Sequence, residues 1–162
     1  MIFGMDTYTF VHVVISLVGI GSGLIVLAGL LTGKRLDGWT ALFLLTTAAT
    51  SLTGFGFPFD HLLPSHIVGI ISLVVLAGAA AARYVFHLAG PWRWIYVAGA
   101  VISLYLNVFV LIVQLFLKVP AIHALAPTQA EPPFAIVQGA VLVIFVVLGV
   151  IAAIRARPAA MA

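Results

Sequence analysis

Charge is almost absent from this chain, and where it is absent decides what the chain can become. No Asp, Glu, Lys or Arg occurs from Thr7 to Gly33, from Gly38 to Phe59, from Trp94 to Leu117 or from Pro132 to Ile154. A fifth interval, His61 to Ala82, carries only two histidines. Each interval can cross a hydrocarbon core of about 30 Å, which takes roughly 20 helical residues. Closed barrels are the other spanning solution, but their strands alternate apolar and polar positions. These runs are apolar on all sides, so helices are expected. Composition agrees: 7% of the residues are charged and 64% hydrophobic, against about 25% charged in soluble domains.

The expected fold is all-α: a polytopic membrane bundle forming one domain over residues 1–162, with helices at about 7–31, 39–57, 65–86, 94–117 and 134–154. The first run reads as a span and not as a signal peptide, because Asp6 is the only charge before it and Lys34-Arg35 follow as a stop. There is no cysteine, which removes disulfide, thiol-redox and iron–sulfur chemistry. The few basic residues flank the runs, so the positive net charge does not point to nucleic acid.

Alternating connections place Lys34, Arg35, Arg83, Arg93, Arg155 and Arg157 on one side and Lys118 alone on the other. The positive-inside rule makes the six-residue side cytoplasmic, with the N-terminus out and the C-terminus in. Trp39, Trp92 and Trp94 open helices at that same interface, where indoles concentrate. The expected location is a cell membrane of the bacterial inner-membrane kind, crossed several times. An internal echo points to duplicated hairpins, helices 1–2 and 3–4. His12 precedes Trp39, as His66 precedes Trp92 and Trp94, and "HVVISLVGI" resembles "HIVGIISLVV".

Polar groups gather in the outer half. His12, Ser16, Gly19 and Gly23 share one face of helix 1, a pattern that also serves close helix approach. Gly99, Ser103, Asn107, Gln114 and Lys118 make a stripe on helix 4, and Asn107 and Gln114 are expected to face the bundle interior. Gln138 belongs to the same half. The threonines of helix 2 read as backbone-bonded. The stretch "PFDHLLPSHIVG" is an outer turn. It lifts Asp60 and His61 into water and sets His66 just inside helix 3, where Ser65 can cap. The longest loop, "KVPAIHALAPTQAEPPF", reads as a lid or partner contact.

Besides proton or quinone handling, which an intramembrane imidazole allows, two readings of the histidines stay open. They can be interfacial residues bonded to neighbours and water. Alternatively, helices 1 and 3 are diagonal neighbours roughly 11–14 Å apart, and His12 and His66 hold a cofactor between them, with Asn107 and Gln114 lining it. A b-type haem is one form, with Gly19 and Gly69 leaving room for the ring. A divalent metal ion on His12, His66, His61, Asp60 and His123 is the other, since imidazole and carboxylate suit Zn, Cu(II) or Fe. Neither form has a sequence motif, and no nucleophile stands beside a base, so hydrolysis is not expected. Three functions follow: a cofactor-binding electron-transfer component, a non-catalytic accessory or assembly subunit of a larger membrane complex, or a small solute transporter. The expected partners are the lipid bilayer and other membrane subunits or a homo-oligomer.

Overall fold

The computed structural model describes residues 5–58 and 64–156; Asp60 and His61 lie outside them. All regular structure among these residues is helical. Helix α1 spans Thr7–Thr32, α2 Asp37–Gly54, α3 Pro64–Ala80, α4 Trp92–Lys118, α5 Pro120–His123 and α6 Pro132–Arg155. A π-helical turn, Ala81–Val85, continues α3.

Local chemistry sets these boundaries. Asp6 caps α1, its carboxylate accepting from the Thr9 N–H at 2.9 Å and the Thr9 hydroxyl at 2.8 Å. Those donors hold the Asp6 carboxyl below the usual carboxylate range, because they favour its charged form. At the other end Gly33 turns left-handed (φ 69°), and the Lys34 N–H reaches back to the Gly29 carbonyl at 2.9 Å, closing the helix as glycine C-caps do. α3 begins at Pro64, so Ser65 lies inside the first turn and not at the cap. The loop between α4 and α6 packs against the bundle. Its single turn α5 begins with proline, and Ile122 and Ala126 join Ile112, Phe116 and Phe134 in a small core of their own.

α1, α2, α3 and α4 form a ring in which each packs on its neighbours, and α6 lies outside it against α1 and α4. The main core runs through Leu27, Phe43, Leu76, Val97, Leu104 and Phe145, one or more from every long helix. α2 and α4 also touch across the ring. Thr40 Oγ1 lies 3.4 Å from the Tyr96 hydroxyl, and Asn107 Nδ2 donates to Thr47 Oγ1 at 3.1 Å.

Among the described residues, four helices are long and apolar enough to cross a membrane: Thr7–Thr32, Ser65–Val85, Trp92–Lys118 and Pro132–Arg155. α2 falls short by composition. Its 18 residues include Asp37 and six hydroxyl side chains. Thr40, Thr47 and Ser51 are buried, whereas Leu42, Leu45 and Leu52 point outward. The polar helix thus turns its polar face inward.

Candidate functional site

Contacts sort the polar residues into two ends of the bundle. At one end the close of α2 receives both imidazoles. His12 Nδ1 lies 2.8 Å from Thr53 Oγ1. The Thr53 hydroxyl proton is already donated to the Ala49 carbonyl at 2.7 Å, the back-bond that threonine makes in membrane helices. His12 Nδ1 must therefore be the donor, which leaves the Nε2 lone pair of the neutral ring available. Phe57 meets the His12 ring edge-on at 5.0 Å, and Tyr8 donates to the Thr53 carbonyl at 2.6 Å. His66, only 4% exposed, stacks on Phe55 at 5.5 Å.

Among the described residues no ring contact or hydrogen bond joins His12 to His66; each is engaged by the end of α2 instead. The room expected beside the two glycines is also taken. A Cβ at Gly69 would lie 3.3 Å from the Phe55 ring, and one at Gly19 would lie 3.3 Å from Thr46 Oγ1 and 3.5 Å from Asn107 Nδ2. The space beside Gly19 is thus occupied by threonines of α2 and by Asn107, and that beside Gly69 by Phe55, so neither glycine faces open room for a flat ring. No three His, Asp or Glu side chains converge as a metal site among the described residues.

Asn107 is half-buried and binds Thr47, as an inward polar residue should, but Gln114 is exposed. The α4 stripe faces the bundle at Gly99, Ser103 and Asn107, then leaves it as α4 runs on toward α5. Other polar groups tie α6 and the loop before it to α4. His123 Nδ1 donates to the Phe116 carbonyl at 2.9 Å, Gln129 to Val113 at 3.0 Å and Gln138 to Phe109 at 3.2 Å. His123 thus also keeps an Nε2 lone pair, but its described contacts lie on α4 and not beside His12. Glu131 closes the loop by accepting from the Thr128 hydroxyl at 2.8 Å, which holds its carboxyl below the usual range.

The other end was read from sequence as a set of basic anchors, and it contains more. Arg83 lies in the π turn with its side chain 6% exposed, paired with Asp37, whose carboxylate is 70% exposed. Its guanidinium also lies 5.2 Å from the centre of the Tyr96 ring, in cation–π range. His87 (φ 49°) and Leu88 (φ 59°) follow in left-handed conformations, and the Leu88 N–H closes the π turn on the Ala82 carbonyl at 2.9 Å. One signal could have found this cluster. Asp37 is the only acid on the basic side of the map. Comparison with protein-family models, curated proteins and solved structures finds no match.

Proposed function

We propose that this is an integral membrane protein whose histidine-bearing end binds a transition-metal ion, with His12 Nε2 as the anchoring ligand, in a metal-handling or electron-transfer role. The observation that carries this reading is the orientation of His12. Imidazoles that ligate metals nearly always spend their other N–H on a fixed acceptor, which sets the tautomer and raises ligand basicity. Thr53, itself locked by Ala49, supplies that acceptor. Asp60 and His61 are the proposed co-ligands. They follow Phe57, the residue against the His12 ring, by three and four positions. His66 and His123 are the other imidazoles proposed for this end. Such an ion would supply electron carriage or Lewis acidity.

The same reading gives α2 the fifth crossing. Eighteen helical residues extend about 27 Å, close to the core thickness, and leucines form its outward face. The basic end is then cytoplasmic and the histidine end outside. The paired hairpins α1–α2 and α3–α4 are the units of the proposed duplication.

Metal analysis of protein purified from metal-replete cells tests the site. Stoichiometric zinc, copper or iron is expected, lost in His12→Ala. Thr53→Val keeps the ligand but removes its acceptor, and should weaken binding about 10–100-fold. A metal-free preparation, or loading unchanged in His12→Ala, contradicts the site, and a Soret band would favour the haem form.

One observation favours an accessory subunit as the second reading. Only 11% of the most apolar stretch of α6 is buried, against 33% for α1 and α4. A partner subunit docked on α6 would account for that, and a stable monomer that copurifies with nothing would count against it.

A further inference from the structure

The Arg83 guanidinium is nearly enclosed, yet only one of its N–H groups has a hydrogen-bond partner among the described residues, the one facing Asp37. Guanidinium carries five donors. Beside it lies a cavity of about 20 Å³, lined by Arg83, Lys34, Arg35, Thr40, Tyr96 and Leu88. That volume holds one water or one ligand oxygen. Three cations and one carboxylate leave the cleft with a surplus of positive charge. Lys34 and Arg35 are exposed at its mouth. Trp39 and Trp94, which open α2 and α4 at this end, are exposed at 45% and 42%. Indoles settle at headgroup depth, so the cleft opens where lipid phosphates lie.

We infer that this cleft binds a phosphate group, one oxygen entering toward Arg83 and the others held at the mouth by Lys34 and Arg35. Basic pockets between membrane helices are suited to anionic headgroups, and guanidinium is suited to phosphate. The backbone around Arg83 supports a built site. A π turn followed by two left-handed non-glycine residues is costly and is found where function holds it in place. This inference does not depend on the metal site at the other end.

The test is thermal unfolding of the full chain in neutral detergent with three additions: phosphatidylglycerol, phosphatidylcholine or inorganic phosphate. Phosphatidylglycerol should raise the midpoint by roughly 5–10 °C at a hundredfold excess over its dissociation constant, and phosphatidylcholine should not. A matching rise with inorganic phosphate assigns the site to free phosphate; no rise with it assigns the site to a lipid headgroup. The double variant Lys34→Gln/Arg35→Gln changes exposed side chains, so it should fold and lose the rise. Arg93→Gln, at the same end but outside the cleft lining, should keep it. No rise with either phosphate source, a rise equal to that with phosphatidylcholine, a rise kept in the double variant, or an equal loss in Arg93→Gln each overturns the inference.

Discussion

Replacing Gly99 by leucine is expected to destabilise the bundle by about 3 kcal/mol, near the upper end of the overpacking range. A Cβ at Gly99 would lie 2.9 Å from the Ala79 Cβ, 3.4 Å from the Val75 carbonyl oxygen and 3.5 Å from the Ala79 Cα. None of these atoms can rotate away, because each belongs to, or is fixed by, the α3 backbone. Relief requires the whole of α3 to move off α4. Small residues matter at such seams because lipid tails are as apolar as leucine, and close backbone approach supplies much of the association energy. Gly78, on α3, has nothing within 4 Å of its Cβ position. Gly78→Ala should therefore be neutral or gain up to about 1 kcal/mol from helix propensity. Unfolding of both variants in detergent checks the contrast. A tolerated Gly99→Leu would mean that α3 and α4 do not meet as described.

The second large effect is an asymmetry at the basic end. Asp37→Ala should cost about 2 kcal/mol in neutral detergent, whereas Arg83→Met should cost about 1 kcal/mol or less. Removing one member of a buried pair is expensive when a charge is left stranded away from water. Here the two partners differ. The Arg83 side chain is enclosed, and the Asp37 carboxylate is mostly in solvent. Losing Asp37 strands the enclosed charge. Losing Arg83 returns the carboxylate to water and forfeits the ring contacts with Tyr96 and the more exposed Tyr84, which are worth about 0.5–2 kcal/mol and are offset by an apolar filler. The cost of losing Asp37 is set below the fully buried value because solvent screens its half of the pair. Equal costs, or a larger cost for Arg83→Met, would show that the pair does not have this uneven exposure.

The helical class was legible because it rests on one strong constraint: uncharged runs of span length must satisfy their own backbone. The ends of α1, α4 and α6 fall within about two residues of the sequence reading for the same reason. Asp6, Gly33 and the proline pair Pro132-Pro133 are punctuation that sequence displays openly. The meeting of His12 with His66 was not legible. Spacing put both at matching depth on diagonal helices, but what fills the diagonal is decided by which side chains pack. Phe55, Asn107 and the threonines of α2 took the space that the glycines had appeared to leave. In sequence Thr53 is one of several helix 2 threonines that back-bond to their own helix. That bond is what makes it an acceptor for His12. Arg83 was read as a flanking anchor because a π turn has no sequence signature, and without that turn nothing marks its side chain as turned inward.

The proposal stands most heavily on α2 crossing the membrane with its polar face turned into the bundle and its leucines outward. The chain contains no cysteine, so single cysteines can be placed without background. Gly38→Cys marks the start of α2, where no atom lies within 4 Å of the added Cβ, and Pro58→Cys marks its exposed far end. In intact cells treated with a membrane-impermeant maleimide, Pro58→Cys should label and Gly38→Cys should label only after the membrane is opened. Labelling of both from outside, or of neither, would place the two ends of α2 on one side and contradict the account.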